Sequence, residues 1–319
     1  MAEFGHGTGA RGGTVHRWAV AAVVLTFLLL IAGGLVTSRD AGLAVPDWPL
    51  SYGTLNPPRW YAIENVRTEH GHRLIAGFVA LFTLVVGVQV LRHDARPAVR
   101  RLAVAAAGAV LLQAGLGGLR VLHLSLDLAM VHAYIAQMFF CLVVALATIT
   151  SPRWPSAAAY RRVTPVPLGF RAAALATITL VLAQLVLGIL LRHLGPAVRP
   201  LLQSAVFWGH LTVAAGVCAS TIVLWRLAEA DPTGELARRV RLLLTLVAVQ
   251  IVLGFGTFLV TDVVAAGRTA TVLESWLPTL HVAIGAAVLA SSTAIALHAQ
   301  ARASSQHRIE VSVRVAEAR

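Results

Sequence analysis

Four histidines at matching positions of alternate apolar segments carry the strongest chemical signal in this sequence. They are His72, His132, His210 and His281, and each follows a loop by about four to six residues. An imidazole at that depth in an apolar segment costs free energy to bury unless it has a partner. Two pairs of imidazoles that face each other across a helix bundle would supply the axial ligands that two haem irons require.

Charged side chains accompany these histidines. Glu69 precedes His72 by three residues, so the two share a helix face about one turn apart. A carboxylate there could hydrogen-bond an iron ligand or accept a proton from a bound substrate. Arg120 and Arg192 fall at the outer ends of their segments, where guanidinium groups could meet anionic haem propionates, although interfacial anchoring explains them nearly as well. Arg73, next to His72, is a further candidate for contact with a bound substrate.

Other metal sites fit the sequence less well. Zinc would require Cys or closely spaced His with carboxylates, and an iron–sulfur cluster would require several Cys. The chain has two cysteines, Cys141 and Cys218, and both lie inside apolar segments, where they are expected to be small packing residues. No phosphate-binding loop, serine-hydrolase elbow or dinucleotide motif stands out.

The elements that must position these residues are membrane helices. Of the 319 residues, 57% are apolar and only 13% are charged, with a mean hydropathy of +0.76. This composition predicts an all-α polytopic membrane protein. Eight apolar runs are long enough to span a bilayer: Trp18–Val36, Leu74–Leu91, Leu102–Leu119, Leu128–Ile149, Ala172–Leu191, Leu201–Trp225, Leu242–Val260 and Leu277–Leu297.

The strong positive charge reports topology. All 26 basic residues are arginines and the net charge is +12. Eighteen arginines fall in the two termini and the even-numbered loops, against seven in the odd-numbered loops, with Arg73 at the mouth of the second segment. This bias predicts cytoplasmic termini in the cell membrane, and it argues against a nucleic-acid partner.

Repeated patterns predict two pseudo-symmetric four-helix bundles. Gln-x-x-Leu-Gly occurs at Gln113, Gln184 and Gln250, and small residues of this kind allow close helix packing. The spacing from His72 to His210 is 138 residues, and that from His132 to His281 is 149. We therefore predict an N-terminal half over 16–150, a cytoplasmic linker over 151–171, a C-terminal half over 172–299 and a disordered or surface-lying cytoplasmic tail over 300–319.

The first outer loop, residues 38–68, is the longest. It contains Pro46-Asp47-Trp48-Pro49, and this mixture of Pro, Trp and nearby Gly is typical of a structured, turn-rich loop. Such a loop could cover a site at the outer face, or it could serve only as a connector.

Taken together, Glu69-x-x-His72-Arg73, the Pro46–Pro49 loop and the histidines of the fourth, sixth and eighth segments resemble the haem A synthase family over about Trp18 to Ala299. The resemblance implies oxidation of the C8 methyl group of haem O to a formyl group, which gives haem A for terminal oxidases. His72 and His132 would bind the substrate haem, with Arg73 and Arg120 beside it and Glu69 as the catalytic residue. His210 and His281, with Arg192, would bind a permanent haem b that passes electrons.

The resemblance also implies partners, and the sequence departs from it at one point. The expected partners are haem O synthase, oxidase assembly factors, the lipid bilayer and an electron donor or acceptor that the sequence does not identify. Some family members carry a cysteine pair in the first outer loop, where this chain has Val45 and Ser51. A di-haem b cytochrome that only transfers electrons, or a protein that handles haem without oxidising it, stay as alternatives.

Overall fold

The computed structural model describes residues 9–154, 166–193, 200–231, 233–264 and 271–317. Within these ranges the chain is helical, and eight helices are long and apolar enough to cross a membrane. The predicted all-α polytopic membrane fold is therefore confirmed. The helices are α1 (Gly9–Ser38), α2 (Glu64–His93), α3 (Pro97–Leu122), α4 (Leu126–Thr150), α5 (Phe170–His193), α6 (Pro200–Ala228), α7 (Glu235–Phe258) and α8 (Val272–Glu317). A π-helical turn, Leu259–Val264, extends α7.

Local chemistry sets several helix ends. Ser125 precedes α4, and its hydroxyl accepts a hydrogen bond from the N–H of Leu128 at 3.2 Å, which satisfies a donor at the helix start. Pro97 opens α3, where its missing N–H removes no helical hydrogen bond. At the start of α7, the Asp231 carboxylate accepts from the N–H of Leu236 at 3.0 Å. These ends fix how far each helix carries its functional side chain into the bundle.

The helices pack as two groups with the same pattern of neighbours. In the first group α1 contacts α2 and α4, and α3 contacts α2 and α4, so the four helices form a closed ring. Helices α5 to α8 repeat this pattern, since α5 contacts α6 and α8, and α7 contacts both as well. The groups meet where α8 packs on α1 and α4 and where α4 packs on α5. The pseudo-two-fold relation and the exact division into halves stay predictions.

Apolar packing supports each group. Phe170, Leu224, Leu243 and Leu289 are among the fully buried side chains of the second group. In the first group, Val79 on α2 packs in one cluster with Val110 of α3 and with Phe139 and Phe140 of α4. Many leucines and valines elsewhere on the helices are exposed, as helices that face lipid hydrocarbon require.

The helices extend further than the apolar runs predicted. As a result, the histidines lie well inside their helices: His72 follows the first residue of α2 by eight positions, His132 that of α4 by six and His210 that of α6 by ten. Most of the predicted linker, residues 155–165, lies outside the described residues. Of the two alternatives predicted for the tail from residue 300, disorder is wrong, because α8 continues to Glu317, and a surface-lying end stays a prediction.

The buried guanidinium of Arg302 explains part of this continuation. It forms ion pairs with Glu235 at 3.0 Å and with Asp231 at 3.5 Å, and these contacts fasten the end of α8 to the α6–α7 connection. Several alanines in this stretch also favour helix.

The first outer loop folds over the outer ends of α2 and α3 through turns, a Ser51–Thr54 bridge and a 3₁₀ turn at Trp60–Ala62. The predicted turn-rich structure of this loop is confirmed.

Candidate functional site

Each of the four predicted histidines rests against a glycine of the helix that precedes its own. A Cβ placed on that glycine would lie within contact distance of the Cε1 atom of the imidazole. The separations are 3.1 Å for Gly33 and His72, 3.2 Å for Gly117 and His132, 3.4 Å for Gly188 and His210, and 3.0 Å for Gly254 and His281. We call these four pairs the His–Gly contacts.

In the second helix group, His210 of α6 and His281 of α8 approach each other with ring centroids 6.5 Å apart and planes inclined by 54°. Two imidazoles that bind one metal from opposite sides, each with a nitrogen–metal bond of about 2.0 Å, would have centroids about 6 Å apart. The observed separation is therefore close to that of two axial ligands on a shared metal.

In the first helix group, His72 of α2 and His132 of α4 lie within electrostatic range of each other. Arg120 and Arg73 are also close enough to act on His72. Both imidazoles are partly buried. The structure thus brings together the pair that the sequence predicted, with two of the three predicted arginines beside it.

One nitrogen of every imidazole in the His–Gly contacts is buried without a hydrogen-bond partner among the described residues. In each case this atom is Nδ1. A buried, unpaired polar atom lowers stability by about 1–3 kcal/mol. Four such atoms at matching places therefore indicate that these histidines serve a function and not the stability of the fold. The repeated glutamines lie in the same helix pairs: Gln113 donates to the carbonyl oxygen of His132 at 3.1 Å, and the Gln250 amide nitrogen lies 3.3 Å from Nε2 of His281.

The donor set suits a porphyrin-bound metal. Among the described residues, no three His, Cys, Asp or Glu side chains gather as a metal site, so the imidazoles come in pairs. A porphyrin supplies four nitrogens itself and needs only two axial ligands from the protein. The His210–His281 separation and the small glycines that admit each ring are consistent with this arrangement.

Glu69 lies one turn before His72 and is almost fully buried, with 1% of its surface exposed. One carboxylate oxygen accepts a hydrogen bond from the backbone N–H of Val45 at 2.9 Å. The other accepts from the Arg73 guanidinium at 2.7 Å in an ion pair between positions i and i+4. The carboxylate is thereby held in one orientation between α2 and the outer loop.

The three arginines predicted to bind substrate or cofactor have different surroundings. Besides Glu69, Arg73 donates to the backbone carbonyls of Asp47, Leu50 and Val45 at 2.6, 3.0 and 2.9 Å, so it chiefly fastens the outer loop to α2.

Arg192 of α5 donates to the carbonyl of Gly34 at 2.8 Å, to the Ser38 hydroxyl at 2.7 Å and to the carbonyl of Pro278 at 3.2 Å. Arg120 makes one weak contact among the described residues, to the carbonyl of Gly42 at 3.5 Å. Of the three arginines, Arg120 therefore keeps the most donors free for an anionic ligand in the described part of the chain.

The structure adds residues to the site that the sequence did not single out. The Ser51 hydroxyl and Nδ1 of the buried His70 share a hydrogen bond of 2.8 Å, and the Trp60 ring packs on His70 with centroids 4.9 Å apart. Trp48 lies directly on Gly118, next to the glycine that contacts His132. Recurrence of glycine four residues after each repeated glutamine was the signal that could have identified the His–Gly contacts.

Known proteins resemble this chain most clearly in its N-terminal half. Residues 8–144 match the family model COX15-CtaA, described as cytochrome oxidase assembly protein. The predicted resemblance to the haem A synthase family is confirmed. Glu69, His72 and His132 lie inside the segment that matches this family model, while His210 and His281 lie beyond it.

Individual relatives within the haem A synthase family show the same relationship. A heme A synthase of Symbiobacterium thermophilum is 30% identical over 183 residues, which cover 56% of this chain and 58% of that protein. A heme A synthase of a Caulobacter species is 35% identical over 109 residues, or 31% of this chain and 32% of that protein. The alignments thus span between about a third and somewhat over half of these relatives' length.

Proposed function

We propose that this protein is a haem A synthase that oxidises the C8 methyl group of haem O to a formyl group. The observation that carries the proposal is that four imidazoles, two in each helix group, each lie against a glycine of the preceding helix, with His210 and His281 facing each other. The family match and the named relatives support the same reaction class.

The first helix group would bind the substrate. His72 and His132 would hold haem O from its two faces, because their helices lie in the same ring and their imidazoles are within electrostatic range. Arg120 would bind a propionate with the donors that its contact to Gly42 leaves free. The outer loop, tied down by Arg73, would limit water at this end of the site.

Glu69 would accept a proton released during oxidation of the methyl group. Its carboxylate is buried one turn from His72, and hydrogen bonds to Val45 and Arg73 orient it. A general base requires this kind of fixed placement near the reacting group. Arg73 would then act through Glu69 and the loop, as a positioning residue.

The second helix group would hold the resident cofactor. His210 and His281 would bind haem b, which supplies electron transfer when bound. Arg192 lies within electrostatic range of His281 at the outer end of the bundle, where a propionate would reach the polar interface.

The cellular setting follows from the charge bias of the sequence. Eight membrane helices with arginine-rich even-numbered loops would place the protein in the cytoplasmic membrane with both termini inside. Haem O synthase and oxidase assembly factors would be neighbours in the same bilayer, together with an electron donor or acceptor of unknown identity.

The experiment is co-expression with a haem O synthase, followed by extraction of the pigments and measurement of their masses. Wild type should yield haem A. His132→Ala should yield only haem O, whereas His123→Ala, an exposed histidine at the end of α3, should behave as wild type. Wild-type cells that bind haem but accumulate only haem O would overturn the enzymatic proposal and favour a di-haem b electron carrier.

A further inference from the structure

We propose that Gly33, Gly117, Gly188 and Gly254 are positioning residues, each of which fixes the orientation of the imidazole it contacts. This inference rests on the proposed haem binding and concerns how the ligands are held. The observation behind it is that a Cβ added to any of these four glycines would lie only 3.0–3.4 Å from Cε1 of the histidine that the glycine faces.

The ring atom nearest to each glycine is Cε1, which lies between the two ring nitrogens. At Gly33, a Cβ would lie 3.1 Å from Cε1, 3.6 Å from Nδ1 and 3.9 Å from Nε2 of His72. Cε1 is bonded to both nitrogens, so a push at this atom must tilt or rotate the ring and redirect Nε2. Gly117 and Gly254 present the same order of distances to His132 and His281.

Within the described residues no hydrogen bond at Nδ1 orients any of these rings; the Gln250 amide nitrogen contacts His281 at its other nitrogen, Nε2. A histidine that binds a metal usually donates its second ring nitrogen to a carbonyl, carboxylate or water, which fixes the ring. In all four histidines Nδ1 has no such partner among the described residues. Packing against the glycine therefore takes over a role that a hydrogen bond usually fills.

Neighbouring glycines show that the contact is specific. Gly115 lies on α3 two residues before Gly117, and a Cβ there would meet nothing within 4 Å. Gly256 lies on α7 two residues after Gly254, and a Cβ there would make ordinary contact with Leu277 at 3.6 Å. Helices α3 and α7 thus each contain one glycine that contacts the histidine of the next helix and another that can accept a methyl group.

The distances also predict a ranking. A separation of 3.0 Å at Gly254 is tight enough that the His281 ring must shift to admit a methyl group, whereas 3.4 Å at Gly188 approaches ordinary contact with His210. Alanine should therefore disturb ligation most at Gly254, less at Gly33 and Gly117, and least at Gly188.

The test compares matched alanine variants purified from cells that make haem. Gly254→Ala is compared with Gly256→Ala, and Gly117→Ala with Gly115→Ala. The measurements are the low-spin to high-spin absorption ratio, the haem content per protein and the thermal unfolding midpoint. Gly254→Ala and Gly117→Ala should shift haem toward high spin and weaken its retention by roughly 10-fold, the size of effect seen when residues that orient metal ligands are changed. Their controls should match wild type.

The outcomes separate this inference from the proposed function. Spectra of Gly254→Ala and Gly117→Ala that equal those of their controls would overturn the positioning role, provided that His281→Ala and His132→Ala lose the low-spin signal. If the histidine variants keep that signal, the proposed haem sites are wrong, and the positioning role that rests on them is wrong as well. Should Gly254→Ala not accumulate, Gly188→Ala replaces it, and a larger spectral shift there than in Gly117→Ala would contradict the ranking.

Discussion

Arg192 donates a 2.8 Å hydrogen bond to the carbonyl oxygen of Gly34, although the two residues belong to different helix groups. The same guanidinium reaches Ser38 on α1 and the carbonyl of Pro278 on α8. Gly34 follows the glycine that contacts His72, and Pro278 precedes His281 by three residues. A single side chain thus joins the backbone segments that carry parts of both candidate haem sites.

Replacing Arg192 should therefore weaken both groups at their junction. We expect Arg192→Gln to lower the thermal unfolding midpoint in detergent and to reduce the free energy of unfolding by about 2–4 kcal/mol. Hydrogen bonds to charged groups contribute about 1.5–3 kcal/mol each to that free energy, and their contributions are not additive. Arg226→Gln is the control, because Arg226 is exposed and its pair with Glu229 is loose at 3.6 Å. Equal midpoints for the two variants would contradict the bridging role.

The sequence predicted the histidines because their type and depth repeat, and both properties are visible in one dimension. It predicted Arg73 as a substrate-binding residue, which stays a prediction, but it did not predict the hydrogen bonds of this guanidinium to three loop carbonyls and Glu69. That arrangement depends on the path of the loop, which no helical periodicity encodes. The Gln-x-x-Leu-Gly repeat indicated three of the four His–Gly contacts. In α1, however, Leu29 takes the place of the glutamine, so the contact of Gly33 with His72 could be recognised only from the packing of the helices.

Helix α8 shows a different limit of sequence reasoning. The polar, charged sequence after residue 300 predicted a disordered or surface-lying tail. The helix instead continues past Arg302, which pairs with Asp231 of the α6–α7 connection and with Glu235 at the start of α7, long-range contacts that local composition does not report.

Glu69 should be essential for oxidation and dispensable for haem binding. Glu69→Gln keeps an oxygen that can accept from Arg73, but it removes the negative charge and the acceptor of the Val45 N–H. The three hydrogen bonds from Arg73 to loop carbonyls do not involve Glu69, so they still hold the loop. We expect haem A formation to fall by at least about 100-fold, the lower range for loss of a general base, with the low-spin spectrum unchanged. Pigment masses and visible spectra measure the two properties.

Glu64→Gln is the matched control for this change. Glu64 lies on the same helix, but it is 63% exposed and makes only a 3.4 Å pair with Arg39. It should retain wild-type activity. Undiminished haem A production by Glu69→Gln would remove the catalytic assignment.

The outer loop should detach when the Trp48 ring can no longer pack on Gly118 of α3. A Cβ on Gly118 would overlap the indole ring, so Gly118→Ala must displace the loop or the helix backbone. We expect several-fold faster trypsin cleavage after the exposed Arg59, because local opening controls such cleavage. Gly115→Ala on the same helix should be cleaved at the wild-type rate, and a similar rate in Gly118→Ala would show that Trp48 does not hold the loop.

Acid should loosen the same loop through Asp47. The pKa of this carboxyl lies below its usual value of 3.8, chiefly because the N–H of Gly53 donates to it at 2.7 Å; partial burial opposes the shift, and the N–H of Tyr52 and the charge of Arg73 reinforce it. A lowered folded-state pKa means that the carboxylate stabilises the loop fully above pH 3.8 and ceases to do so as the pH falls through the folded-state value.

Trp48 fluorescence, taken as the difference between wild type and Trp48→Phe, should therefore stay constant as the pH falls to 3.8 and change below that value, as the pH passes through the folded-state pKa. Asp47→Asn should remove this pH dependence, because its amide keeps one acceptor and does not titrate in this range. Asp40→Asn, at an exposed carboxylate of the same loop, should leave the wild-type transition in place. A transition that persists unchanged in Asp47→Asn would assign the acid sensitivity to another group.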